Sequence, residues 1–157
     1  MEYIDLNTFL HYSECEKIVS EYGFNLIELK ITPSKGVTRI YAVISSKDPS
    51  VNISANDCSK IHRLLLEKLE ELLKTDDTYM ELSSPGLERN IRNAAEFKFF
   101  LQHSLKVWDK NSSDWIHGKL VSVDEDSLEL EVSEKNLPVE KKKILFSDIA
   151  KAKFTTL

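Results

Sequence analysis

Three residues of one predicted helix carry the groups that nucleophilic catalysis uses: the carboxylate of Asp57, the hydroxyl of Ser59 and the imidazole of His62. Ser59 and His62 are three residues apart and can be neighbours on a helix. Asp57 lies five residues before His62. That separation is about 140° around a helix of about 3.6 residues per turn, so Asp57 cannot orient the imidazole. Asp57 is better explained as a helix cap, and the sequence predicts no catalytic residues and no enzyme.

Metal and phosphate chemistry also lack their usual residues. No close metal-ligand spacing joins the four histidines, which are His11, His62, His103 and His117. Cys15 and Cys58 are too few for a Cys-rich metal site or a disulfide scaffold, and both fall in helical apolar patterns. They are predicted to be reduced core thiols. With four glycines in the chain no Gly-rich phosphate loop is present, so we expect no metal and no cofactor.

The most informative segment is residues 82–89, where an apolar run ends in a rigid turn that presents a cation. Residues 79–82 are typical of a short strand. Pro85 fixes its own φ and Gly86 permits a positive φ, which indicates a tight turn. The residues of this predicted structural turn are Ser84, Pro85, Gly86 and Leu87. Arg89 follows it and can either brace the corner against a carboxylate or carbonyl, or contact a partner.

With its surroundings, this segment resembles the hallmark of the bacterial ribosome maturation factor RimP family. The first domain of that family ends in a segment of the type Leu-Glu-Val-Ser-Ser-Pro-Gly-Leu-Asp-Arg. The corresponding residues 80–89 of this chain are Met-Glu-Leu-Ser-Ser-Pro-Gly-Leu-Glu-Arg. Residues 51–58 resemble the helix entry of the family, and residues 97–100 continue the likeness into a β-rich end. Asn90 stands where members commonly have proline. The resemblance covers essentially the whole chain.

The first half of the chain alternates between helical and strand periodicity. An amphipathic helix ending near Gly23 is predicted from a stripe at steps of three and four, formed by Phe9, Tyr12, Cys15, Val19 and Tyr22. Alternation in residues 27–31 and 40–44, around a turn at 33–36, indicates a β-hairpin. Ser54 and Asp57 can cap a second helix, whose stripe is Cys58, Ile61, Leu65, Leu69 and Leu72. This pattern predicts an N-terminal α/β sandwich in the order α-β-β-α-β, with helices on one sheet face.

After Ala94 and a short helical turn, only strand-like runs follow. About five short strands are expected near residues 105–107, 115–123, 128–132, 143–146 and 150–154, which fits a small closed barrel. The family resemblance implies an Sm-like or SH3-like β-barrel. The predicted fold class is α+β, with an N-terminal α/β domain at residues 1–90 and a C-terminal all-β barrel domain at residues 91–157.

Charge is divided unevenly between the halves. Residues 1–90 carry 10 basic and 15 acidic side chains, whereas residues 91–157 carry 11 of each. A free-standing RNA binder without sequence preference is usually basic, so the net charges of the two halves do not favour such a protein. The acidic half favours a basic protein partner.

No apolar run approaches the roughly 18 residues of a membrane span, and the acidic start is unlike a secretory signal. We expect a cytoplasmic protein without membrane contact.

The cations of the second half are candidates for RNA contact. In a strand, Lys141 and Lys143 share one face, although a merely solvated face is the alternative. Trp115 can stack on a base, but packing in the barrel core or at the hinge is favoured. The predicted ribosome or RNA contacts are Arg89, Arg92, Lys119, Lys141, Lys143, Lys151 and Lys153.

The resemblance implies a non-catalytic assembly factor that binds the immature small ribosomal subunit and assists its late maturation. It also implies contacts with ribosomal RNA and with a basic small-subunit ribosomal protein near the decoding region. Such a factor is expected to be mostly monomeric. The alternative is an RNA-binding regulator whose Sm-like barrel binds single strands, either by itself or after assembly into a ring.

Overall fold

A computed structural model describes residues 1–48, 50–85 and 89–155. The chain divides into two compact units. One is Asp5–Pro85, here called the α/β unit, and the other is Met1–Ile4 together with Gly86–Leu157, here called the β unit. The mixed α+β class is therefore confirmed. Whether residues 1–90 and 91–157 fold independently as domains stays a prediction.

The α/β unit has the predicted element order, which is α1 (Tyr12–Glu21), β1 (Phe24–Ser34), β2 (Val37–Ser46), α2 (Ala55–Leu73) and β3 (Thr78–Ser83). β1 and β2 form an antiparallel hairpin, and α2 crosses over so that β3 pairs parallel to β2. Gly36 has a φ of 81° in the hairpin turn, a conformation in which a side chain would be strained. The turn is shorter than predicted because Pro33 already pairs with Thr38.

The apolar stripes of the two helices form much of the core. Ile61, Leu65 and Leu69 of α2 are buried, as are Tyr12, Cys15 and Val19 of α1. The predicted stripe of α1 is too long, because Phe9 and Tyr22 lie outside the helix and are 37% and 40% exposed. Among the described helices none is long and apolar enough to cross a bilayer.

Two of the three residues of α2 that were considered for catalysis, Asp57 and His62, have structural roles. Ser54 Oγ accepts a hydrogen bond from the Asp57 backbone N–H at 3.1 Å and donates to its carboxylate at 2.8 Å, so the predicted cap is confirmed. His62 Nε2 donates to the Met80 carbonyl at 2.8 Å.

Both cysteines are free thiols. Cys15 is buried, and burial raises its pKa to about 12, whereas Cys58 is only half-buried.

The β unit contains one six-stranded antiparallel sheet in the order β4-β9-β5-β6-β7-β8. Its strands are β4 (Asn90–Ile91), β5 (Ser104–Asp109), β6 (Asp114–Val123), β7 (Ser127–Val132), β8 (Glu140–Leu145) and β9 (Ile149–Phe154). The five predicted strands are all present. In the described ranges no ladder joins the edge strands β4 and β8, so a closed Sm-like or SH3-like barrel is not confirmed.

A 3₁₀ helix and the N-terminal residues complete the β unit. The helix, Ala94–Phe100, buries Phe97, whose ring stacks on Phe146 with centroids 5.7 Å apart. Asn93 joins the N-terminal segment to this helix, because its amide oxygen accepts from the Ile4 N–H at 2.9 Å and its amide nitrogen donates to the Ile4 carbonyl at 2.8 Å. Nothing in the sequence pattern indicated this pairing.

Gly118 marks a close approach between β6 and β7. A Cβ at this position would lie 2.8 Å from the Glu131 carbonyl oxygen, which is backbone and cannot swing away. Gly118→Ala is therefore expected to lower the free energy of unfolding by about 1–3 kcal/mol, measured by urea denaturation. Lys119→Ala, at the exposed next position, is the control and is expected to change it by no more than about 0.5 kcal/mol. Equal stabilities of the two variants would contradict the prediction.

His103 is packed among aromatic rings. Its ring stacks on Phe154 with centroids 5.6 Å apart and meets Phe100 edge-on at 5.8 Å. Burial lowers the pKa of His103 below its ordinary value of 6.5. As pH falls, the unfolded chain binds a proton before the folded chain does, so the contribution of His103 to stability is present above about pH 6.5 and is lost below it.

The expected result is a free energy of unfolding that decreases between about pH 7 and pH 5, with a slope from this residue of at most about 1.4 kcal/mol per pH unit. His103→Phe keeps an aromatic ring but binds no proton, so it should remove this part of the slope. Urea denaturation at graded pH measures both proteins. Parallel pH profiles of wild type and variant would refute the assignment.

Candidate nucleic-acid interface

Strand register brings both tryptophans of the chain together on one face of the sheet. Trp108 of β5 lies directly opposite Trp115 of β6 and opposite Lys151 of β9. Lys106 of β5 in turn lies opposite His117 and Lys153. Residues directly opposite each other in antiparallel strands project to the same face. Strand pairing therefore gathers aromatic and cationic side chains that are up to 47 residues apart in sequence.

The opposite face of the same strands is the buried one. Leu105, Val107 and Ala152 alternate with the residues above and have no solvent exposure. The outer set is therefore directed away from the core. We call it the tryptophan-lysine face and define it by Ser104, Lys106, Trp108, Trp115, His117, Lys119, Lys151 and Lys153.

The two tryptophan rings form an edge-to-face pair, with centroids 5.5 Å apart and planes at 85°. The Lys106 ammonium lies 4.9 Å from the centroid of Trp115, and the Lys151 ammonium lies 5.5 Å from Trp115 and 5.6 Å from Trp108. Such cation–π contacts stabilise by about 0.5–1 kcal/mol at exposed sites. The face thus combines a half-buried aromatic surface with flexible cations.

The tryptophan-lysine face is strongly positive although its half of the chain has no net charge. Four of its eight positions are lysine and none is acidic. The nearest acid on the same side of the sheet is Glu131 of the neighbouring strand β7, which lies directly opposite Lys119. The even balance of residues 91–157 therefore conceals a local excess of cations, and this face is a candidate for binding phosphates.

The register divides the predicted contact lysines into two groups. Lys151 and Lys153 belong to the tryptophan-lysine face, and Lys119 lies at its border between Ser104 and Glu131. Lys141 and Lys143 are instead on β8, opposite Glu131 and Glu129. β8 is also an edge strand, where lysines discourage pairing with another chain. The structure therefore gives this second group an alternative, structural role.

The predicted arginines differ in their surroundings. The Arg89 guanidinium donates to the carboxylate of Glu96, and the two side chains are only 11% and 5% exposed. This ion pair supports the brace alternative for Arg89, while contact with a partner stays a prediction. Arg92 is exposed. Of the predicted turn, Ser84 is exposed and Pro85 half-buried, whereas Gly86 and Leu87 lie outside the described residues.

Lys106, Trp108 and His117 were not predicted from the sequence, and the interpretation of Trp115 as a core residue is wrong because that residue lies on the outer face. The available signal was the alternation of Lys106 and Trp108 with buried Leu105 and Val107. Alternation indicates an outward face but not its neighbours, which depend on register. In the part of the chain that the structure describes, no cluster of three or more His, Cys, Asp or Glu residues could hold a metal ion.

Comparisons with known proteins match nearly the whole chain. A family model described as the RimP N-terminal domain matches residues 14–88. The ribosome maturation factor RimP of Borrelia hermsii is 26% identical over 144 residues, which are 92% of this chain and 93% of that protein. The protein of the same name from Borrelia recurrentis is 29% identical over 133 residues, 85% of each chain.

Proposed function

We propose that the chain is a member of the RimP family and a ribosome maturation factor that binds the immature small ribosomal subunit and assists its late assembly without catalysis. The observation that carries this proposal is the shared name of relatives that align over 85–92% of the chain. The tryptophan-lysine face supports it, since ribosomal RNA offers both phosphates for lysines and bases for aromatic rings.

We propose two classes of partner on the subunit. Ribosomal RNA is the partner of the second half, with Arg92, Lys119, Lys151 and Lys153 as the favoured contacts. A basic ribosomal protein near the decoding region is the second partner: the family resemblance implies that the barrel contacts it, and the acidic first half, whose net charge is −5, favours basic protein partners. Complementary charge chiefly tunes encounter rate and orientation. Arg89, Lys141 and Lys143 stay predicted contacts with less support.

The proposed mechanism is differential affinity. A factor that binds an immature arrangement of RNA and protein more tightly than the mature one shifts the population toward the state it prefers. It dissociates when maturation removes its contacts. This scheme needs no catalytic group, and it operates in the cytoplasm, where bacterial ribosomes assemble. The protein acts as a monomer.

We also propose that the β unit curls into an Sm-like or SH3-like barrel domain. Register shifts between Leu120 and Ser122 and between Trp108 and Asp109 support this, because β-bulges bend strands and increase their twist. The corresponding domains are residues 1–90 and 91–157, with residues 1–4 packed on the second. Limited proteolysis that releases a stable fragment beginning near residue 90 would support the boundary, whereas cleavage throughout the β unit would contradict it.

Co-sedimentation with ribosomal subunits tests the function. Purified protein is mixed with immature small subunits, mature small subunits and large subunits across a salt series. Preferential recovery with immature small subunits is the expected result. A folded protein that sediments with none of the small-subunit preparations would overturn the proposal.

A second candidate, a regulator that binds single-stranded RNA, is favoured by the half-buried tryptophan pair on the outer face of the sheet. In its ring-forming version an open sheet edge must pair with the next copy. Light scattering at graded concentration separates the two, since a ring requires a large oligomer and the maturation factor is monomeric. A monomer at all concentrations would exclude the ring.

A further inference from the structure

We propose that the tryptophan-lysine face is an RNA-binding site for an unpaired segment, in which a base stacks on the tryptophan pair while lysines hold the flanking phosphates. The inference rests on the proposed function only for the source of the RNA, which is the immature small subunit. The face itself is defined by strand register, ring geometry and charge.

The placement of the lysines points to an anionic ligand. Lys106 and Lys153 are directly opposite each other on paired strands. Like charges at such positions destabilise a sheet, with pair effects of about 0.2–1 kcal/mol. Lys151, two residues before Lys153, adds a third cation to the same face. An anion bound between these side chains relieves their repulsion, and phosphates of a nucleic acid supply several such charges in a row.

The tryptophans point to a ligand with an aromatic ring. At present Lys106 and Lys151 lie over the ring faces, where each contact contributes about 0.5–1 kcal/mol. Stacking of a base on an aromatic side chain contributes about 1–3 kcal/mol. When a phosphate draws a flexible lysine away from the ring, a base can take its place with a net gain. The cations and the rings thus suit neighbouring parts of one nucleotide chain.

An unpaired segment fits better than a duplex. Bases within an RNA helix are stacked on each other and cannot present a free ring to the protein, whereas unpaired bases stack readily on aromatic side chains. Sheet surfaces that carry exposed aromatic residues and surrounding cations are a recurring way of binding single strands. An acidic protein segment would satisfy the lysines but would leave the ring stacking unused.

Tryptophan fluorescence reports on this site without a label, because both tryptophans of the chain belong to the face. The full-length protein is titrated with an oligouridylate of about 12 nucleotides, within the usual site size for single strands. A matched abasic oligomer has the same phosphates and no bases. We expect saturable quenching by the oligouridylate and at least severalfold weaker binding of the abasic oligomer, measured by competition. Equal affinities would overturn the stacking.

Three variants locate the site, with affinity measured by anisotropy of labelled oligouridylate. Trp115→Ala is expected to weaken binding by about 5–150-fold, the equivalent of about 1–3 kcal/mol, and Trp115→Phe to retain most of the affinity. Lys151→Gln is expected to weaken binding and to lower the slope of log affinity against log salt by about one, the equivalent of one lost phosphate contact. Lys135→Gln, an exposed lysine outside the face, makes the same charge change and should have no such effect. Unchanged binding by folded Trp115→Ala and Lys151→Gln would refute the site.

Co-sedimentation of the same variants separates this inference from the proposed function. If the protein binds oligouridylate through the face but binds no small subunit, the RNA site stands and the proposed function fails. If it binds immature small subunits and never oligouridylate, the proposed function stands and the RNA site is refuted. If, in this second case, Trp115→Ala and Lys151→Gln also lose subunit binding, the partner on the tryptophan-lysine face is a ribosomal protein and not RNA.

Discussion

Glu96→Gln is expected to lower the free energy of unfolding of the protein by about 3–5 kcal/mol, which is the usual cost of breaking a buried ion pair from one side. Glu96 is 5% exposed and accepts from the Arg89 guanidinium, which is itself 11% exposed. The substitution removes the anion that pairs with this largely desolvated cation. Urea denaturation followed by circular dichroism measures the loss.

A double variant supplies the control. Replacing both partners with apolar residues, Arg89→Met with Glu96→Leu, removes both charges of the pair and should recover most of the stability. A loss of less than about 1 kcal/mol in Glu96→Gln would contradict the role of this pair as a brace. The double variant also separates the two interpretations of Arg89. Normal subunit affinity in a folded double variant would remove Arg89 from the contact residues.

Neutralising two lysines of the tryptophan-lysine face is expected to have the largest effect on function. Lys106→Gln combined with Lys151→Gln should lower the affinity for immature small subunits by about one to two orders of magnitude at physiological salt. The slope of log affinity against log salt should decrease by about two, one for each lost phosphate contact. Co-sedimentation across a salt series measures both quantities.

The matched control changes the same charge at the other predicted lysines. Lys141 and Lys143 are also two residues apart on one strand, but they lie opposite Glu131 and Glu129. Lys141→Gln with Lys143→Gln is therefore expected to lower the affinity less than the first pair does, since these cations already face carboxylates. An effect equal to that of the first pair would show that net charge, and not the tryptophan-lysine face, controls binding.

Much of the fold could be predicted because local patterns are strong in this chain. Apolar residues at helical spacing predicted α2, and the Ser54 and Asp57 side chains predicted its first turn. Gly23, with a φ of 83°, ended the first helix as expected. Prediction failed at the ends of the first apolar stripe, where Phe9 and Tyr22 continue the spacing but not the helix. Spacing alone does not show where backbone hydrogen bonding begins and ends.

The candidate site was only partly predictable. Lys151 and Lys153 were identified from the sequence as cations, and the alternation in their strand shows that they share a face. Lys106 and Trp108 were missed because their importance comes from their neighbours on β6 and β9 and not from their own segment. Net charge was misleading for a related reason, since an average over a domain does not show which side chains share a surface.

The sequence by itself determined the resemblance to the RimP family, the order of helices and strands, and the alternation of buried and exposed residues within each strand. These properties depend on local geometry and on short motifs, so they can be read along the chain. Only the tertiary structure decided that Trp108 packs against Trp115, that Lys106 lies opposite Lys153, and that Lys141 lies opposite a glutamate. Those pairings depend on strand order and register, which are set by the packing of the whole core.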